Sequence, residues 1–160
     1  MNGQGVVIKK TQPLRIVEAR GVAAALDPEH IGPVFLALSP RLIDHLQQAG
    51  AKPGMLVHYY DQPAEDGSFA VHVGYEIGEQ LIPPGDGIEV VDLPVVEVAS
   101  IVHRGGLEGI VAVYQALIRW IEKSGYRLAG YGRELYHEMT AEGPNVTELQ
   151  LPVGVSRNTT

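Results

Sequence analysis

The residues best placed to do chemistry lie near the C-terminal end of a 160-residue chain. In NVTELQLPV, alternation puts Thr147, Leu149, Leu151 and Val153 on one face of a strand and Val146, Glu148 and Gln150 on the other. The leucine face is expected to meet helices, which leaves Glu148 as a carboxylate on the opposite surface. A carboxylate kept from bulk water interacts with opposite charge far more strongly than an exposed one. The same group could act as general base for a water if a proton donor lay opposite. An earlier segment, FAVHVGYEI, repeats the pattern: Phe69, Val71, Val73, Tyr75 and Ile77 share an apolar face, and His72 stands opposite as the counterpart of Glu148. Tyr60 and Tyr136 hold matching places in the strands before them. With the copies related by a pseudo-twofold axis, Glu148, Tyr136, His72 and Tyr60 are expected to line one sheet surface. By alternation alone a solvated second face is the commoner outcome for an antiparallel sheet.

Other candidates divide between packing and binding. Trp120 falls near the edge of an apolar helical stripe, where core packing and ligand stacking have equal claims, while Tyr114 falls at the stripe's centre and is expected in the core. His103 follows a strand and precedes a glycine turn, a place for a hydrogen-bonded structural histidine, and it joins the ligand-binding candidates only on that edge. The six histidines lack the paired spacing of helical or finger-type metal sites, so no metal is expected. No GxxxxGK loop and no nucleophile elbow is present, and there is no cysteine, which removes disulfides, thiolate ligands and cysteine nucleophiles. No cofactor is expected.

Composition narrows the classes further. With 45% hydrophobic and 19% charged residues the chain has material for one packed domain. Its net charge of -7, with scattered basic residues, argues against binding a phosphate backbone. No signal-peptide core and no apolar run of about 20 residues is present, so neither secretion nor a membrane span is expected and the cytoplasm is the default location.

These residues need elements to hold them. In LEGIVAVYQALIRWIEKSG the residues Leu107, Ile110, Val111, Tyr114, Leu117, Ile118 and Ile121 recur at helical spacing, and Gly125 suits the helix end. SPRLIDHLQQAG predicts an earlier helix with Ser39 as cap, Pro40 in its first turn, and Leu42, Ile43 and Leu46 on one face. Residues 31–38 would then form a preceding turn, with a kink at Pro40. Strand signals flank both helices: RIVEAR, LVHYYD and FAVHVGYEI around the first, VVEVASIVH, ELYHEM and NVTELQLPV around the second.

The order strand, helix, strand, strand therefore occurs twice. Tyr60 matches Tyr136, and residues 73–77 match 149–153, at a shift of 76, while Gly50 matches Gly125 at 75. A near-constant shift across three elements argues for duplication. The expected class is α+β: two fused strand-helix-strand-strand modules with antiparallel strands and two main helices, in a single domain over 1–160. Module one covers about 13–80, a linker about 81–94, and module two about 95–154.

The second half carries a family pattern. His103 with Gly105 and Gly106, Trp120 and Ile121, Gly125 and Tyr126, Glu134 and Tyr136, then Thr147, Glu148, Leu149, Pro152 and Val153 stand in order. This resembles the effector-binding domain of the AraC-type and gyrase-inhibitory-protein-like (GyrI-like) family. The first half matches chiefly in its order of elements, and Arg104 interrupts the usual histidine-glycine pair. The resemblance implies a central cleft that holds small, often aromatic and cationic molecules. It also implies that Glu148 is the acidic anchor, with Tyr136, Trp120, Tyr60, His72 and His103 as accompanying ligand-binding candidates. Three functions follow from it: a noncatalytic small-molecule binder, a hydrolase of strained-ring compounds using Glu148 as base and Tyr136 as donor, and a protein-interaction inhibitor. The two modules leave no room for a helix-turn-helix segment, so no direct nucleic-acid binding is expected.

Overall fold

The computed structural model describes residues 5–155. In chain order the elements are β1 (Val7–Lys10), β2 (Leu14–Ala23), α1 (Pro28–Gln48), β3 (Leu56–Tyr60), β4 (Phe69–Glu76), β5 (Ile88–Leu93), β6 (Glu97–Arg104), α2 (Ile110–Lys123), β7 (Tyr126–Leu128), β8 (Arg133–Thr140) and β9 (Gly143–Val155). The class is α+β, and the chain divides into two compact units. Each is built on a strand-helix-strand-strand series. No helix among the described residues is long and apolar enough to cross a membrane.

The N-terminal unit, Pro13–Pro94, orders its antiparallel strands β3-β4-β2-β5. Leu38, Leu42 and Leu46 of α1 recur every four residues and pack on Val17, Ala19, Val73 and Ile88. α1 begins earlier than the sequence suggests. Asp27 is its cap, accepting from the His30 backbone N–H at 2.9 Å, and Pro28 takes the first turn. Ser39 and Pro40 therefore lie inside one continuous helix and not at its start. Pro33 and Pro40 both face solvent, where the carbonyls they leave without a helical donor can be hydrated. Ile43 falls off the buried stripe and is exposed.

The stretch expected as a linker carries β5. Ile88 and Leu93 are buried, and the strand pairs with β2 from Leu14↔Leu93 to Ala19↔Ile88. Its signal was masked by the prolines and glycines just before it. That turn is tied to α1 by the His45 ring, which donates to the Pro83 carbonyl at 2.6 Å, and by Arg41, which donates to the Asp86 carbonyl at 2.9 Å. A Cβ at Gly85 would stand 2.7 Å from the His45 ring, so the turn needs glycine there.

The other unit joins residues 5–12 to 95–155, with antiparallel order β1-β6-β9-β8 and β7 on the far end of β9. Val113, Leu117 and Ile121 of α2 pack on Ala99, Ile101, Leu149, Leu151 and Val153, so the leucine face of β9 does meet the helix. Leu107 precedes α2, and Val111 turns away from the stripe; both are exposed.

Candidate functional site

Strand register decides which candidates share a surface. Directly opposed residues of an antiparallel pair point to the same face. β8 and β9 pair Glu134↔Leu149, Leu135↔Glu148 and Tyr136↔Thr147. Leu149 faces α2, so Glu134, Tyr136 and Thr147 share the helix side, and Glu148 lies on the other. In the N-terminal unit, Tyr60↔Val71 and His58↔Val73 fall on the helix side, while Tyr59↔His72 fall on the other. The expected quartet is thus split: Tyr60 and Tyr136 occupy helix-side faces, His72 and Glu148 the faces away from the helices. A proposed hydrolytic pair of Glu148 and Tyr136 fails for the same reason, since the sheet stands between the two groups.

Glu148 is only 5% exposed and its carboxylate is fully engaged. Lys9 lies 2.7 Å from Oε2, which also accepts from Ser100 Oγ at 2.6 Å and Gln150 Nε2 at 2.9 Å. His137 Nε2 lies 2.7 Å from Oε1. Burial works to raise the pKa of Glu148, but Lys9, Ser100, Gln150 and His137 together hold it down to about 2. The carboxylate already has a cation: β1, unforeseen in the sequence, delivers Lys9 by pairing with β6.

His72 is as deeply buried and lies between two carboxylates. Nδ1 is 2.6 Å from Glu18 Oε2, and Nε2 is 3.0 Å from Asp61 Oδ2. Tyr59 stacks on the imidazole with centroids 4.1 Å apart, and its hydroxyl donates to the second oxygen of Glu18. Burial pulls the His72 pKa down, yet the hydrogen bonds to Glu18 and Asp61 and the charges of both outweigh it, and the net shift is upward. Glu18 was missed because a single charge inside RIVEAR reads as the wet face of a strand; it is 3% exposed.

On the helix side of the C-terminal unit stands a different carboxylate. Glu134 Oε1 accepts from the Tyr136 hydroxyl and Oε2 from the Tyr114 hydroxyl, both at 2.6 Å. Two phenols from two elements hold the carboxylate. The signal was present in the sequence as Glu134 and Tyr136 two apart on one strand. What it lacked was Tyr114, which α2 brings from 20 residues away. At the matching positions of the N-terminal unit, His58 stacks on Phe35 of α1 at 3.8 Å, with Tyr60 tilted against Phe35 at 6.3 Å. One helix side is acidic and phenolic, the other aromatic.

The remaining candidates, Trp120 and His103, both make contacts within the fold. Trp120 packs against the core cluster beneath α2. His103 Nε2 donates to the Gly106 carbonyl at 2.7 Å and closes the turn before α2.

Comparison with known proteins agrees with this architecture. A comparison with curated proteins found no match. Among solved structures, the EcmrR C-terminal domain is similar with a TM-score of 0.72 and 17% identity, covering 94% of this chain and 97% of that one. In a complex of the longer EcmrR with DNA, this chain spans 57% of the EcmrR chain. SAV2435, solved bound to tetraphenylphosphonium, gives a TM-score of 0.67 at 16% identity over 93% of each chain. A hydrolase from Listeria innocua gives 0.59 at 11% identity, over 94% of this chain and 92% of that one. At these identities the likeness is one of fold. The model of the GyrI-like small molecule binding domain matches residues 6–154, nearly the whole chain, and the protein therefore belongs to the GyrI-like family.

Proposed function

We propose that this protein binds aromatic organic cations on its helix-side surfaces, with Glu134 as the acidic anchor. The observation that carries this reading is the carboxylate clamped by the hydroxyls of Tyr114 and Tyr136. A half-buried anion beside phenol rings offers charge attraction and flat apolar contact at once. Phe35, His58 and Tyr60 give the N-terminal unit a second aromatic surface of the same kind. Glu148, on the face away from the helices, is already held by Lys9 and three further donors. That SAV2435 was solved with tetraphenylphosphonium supports an organic cation as the ligand class. Recognition by charge and flat surface, with few directional bonds, makes the binding broad. The recurrence of matching side chains at a shift of 76 also supports reading the two units as duplicated modules.

The test is a calorimetric titration with tetraphenylphosphonium. Glu134→Gln is expected to weaken binding at least about tenfold, a change of about 1.4 kcal/mol, whereas Glu148→Gln leaves it within about twofold. No binding by the unmodified protein, or equal binding by Glu134→Gln, overturns the proposal. Loss with Glu148→Gln alone would move the anchor to the opposite face. Mass analysis of the ligand after incubation separates retention from hydrolysis.

A further inference from the structure

β3 is five residues long, and alternation gives its two faces different work. His58 and Tyr60 point to the helix side, beside Phe35. Tyr59 points the other way, and Asp61 follows directly, tied to β4 through its backbone N–H to the Ala70 carbonyl at 3.1 Å. The far face is gathered around His72. Both nitrogens of its ring lie within hydrogen-bond distance of carboxylate oxygens, Nδ1 to Glu18 and Nε2 to Asp61. Carboxylates only accept, so making both bonds requires the doubly protonated imidazolium. A neutral ring can donate to one partner alone and must turn a lone pair toward the other.

The charged and titratable groups around the ring are few. β2 contributes Glu18 and Arg20, the latter directly opposite His72, and β3 with the residue after it contributes Tyr59 and Asp61. On β4 the same-face neighbours Ala70 and Gly74 carry no charge and Glu76 lies one step further, while Glu89 of β5 stands opposite Glu18. α1 packs on the other side of the sheet. Of the four carboxylates named, Glu18 and Asp61 bond the ring, and Tyr59 covers its flat face.

We propose that the proton on His72 clasps the end of β3 and so fixes His58 and Tyr60 on the opposite face, making ligand binding there proton-coupled. Loss of that proton releases the bond to Asp61 or to Glu18, frees the end of the strand and disorders the aromatic surface. The coupling to ligand rests on the function proposed above; the clasp itself does not. The direction of the effect is diagnostic. Direct competition of protons with a cationic ligand would weaken binding at low pH, whereas the clasp strengthens binding at low pH.

The experiment has two arms on the full chain. In the first, NMR titration follows the His72 imidazole and the Tyr60 ring of the unmodified protein and of Asp61→Asn. The clasp requires His72 to titrate above the ordinary 6.5, Tyr60 to shift with the same midpoint, and both midpoints to fall together in Asp61→Asn. A His72 midpoint at or below 6.5, or a Tyr60 ring indifferent to it, overturns the proposal. In the second arm, tetraphenylphosphonium affinity is measured one pH unit below and one above the His72 midpoint. The expected result is about fivefold weaker binding at the higher pH, with Asp61→Asn weak at both. Affinity equal at both values, or greater at the higher pH, overturns the coupling. If the cation fails to bind at any pH, the function proposal falls and the first arm alone decides the clasp.

Discussion

The two units place different charges in the same frame. In the N-terminal unit, β2 offers Glu18, β4 offers His72, and Asp61 closes the group; in the C-terminal unit, β6 offers Ser100, β9 offers Glu148, and His137 closes it. Each central residue is met from both sides, but a histidine sits at the centre of one network and a carboxylate at the centre of the other. The second then needs Lys9 from β1 as countercharge, while the first draws on two carboxylates. The fold thus carries a connected polar group in each unit without specifying its sign. Buried polar groups tolerate either arrangement provided each is satisfied.

The two cores are expected to contribute equally to stability. Leu42 and Leu117 are both fully buried at corresponding helix positions, and Leu42→Ala and Leu117→Ala are each expected to cost about 3 kcal/mol in denaturant unfolding. A difference above about 2 kcal/mol between them would show that one unit carries most of the stability.

The networks come next and should respond oppositely to pH. Glu18→Ala is expected to cost about 2–3 kcal/mol, because it leaves the buried His72 ring with Asp61 alone. Glu148→Ala costs less, about 1–2 kcal/mol, since Lys9 and His137 are 42% and 39% exposed and can return to water. The His72 pKa is raised, so its stabilisation is complete below 6.5 and is lost as pH rises through the folded-state value. The Glu148 pKa is lowered, so its stabilisation is complete above about 4.5 and is lost as pH falls toward 2. Unfolding curves at pH 3, 6 and 9 for the unmodified protein, His72→Gln and Glu148→Gln check both signs; parallel pH profiles for all three would refute them.

The smallest effect lies on the helix sides. Val71 and Thr147 hold matching positions and both are fully buried, but the Thr147 hydroxyl has no hydrogen-bond partner among the described residues. Thr147→Val is expected to be neutral or to stabilise by up to about 1 kcal/mol, and Val71→Thr to destabilise by about 1–2 kcal/mol. Thermal shifts of opposite sign would sharpen the correspondence between the units.

How much of this was legible depended on the range of the signal. The apolar stripe of α2 and the alternation of β4 and β9 are local, and they located the helices, the main strands and the leucine face of β9. β5 was hidden behind the prolines and glycines of the turn before it, and β1 by its shortness and exposure. The start of α1 was misplaced because Ser39-Pro40 has a capping pair's composition, although Asp27-Pro28 is the pair in use.

The sequence by itself determined the class, the paired strand-helix-strand-strand order and the family pattern, because periodicity and motif order need no partner. Only the tertiary structure decided which polar residues meet. Alternation within β8 is enough to set Tyr136 beside Glu134, but whether Tyr136 also shares a face with Glu148 turns on a register that is set between strands and not within them. The same holds for Tyr114 on Glu134, Lys9 on Glu148 and Asp61 on His72. Each of these contacts joins residues far enough apart that no local spacing encodes it.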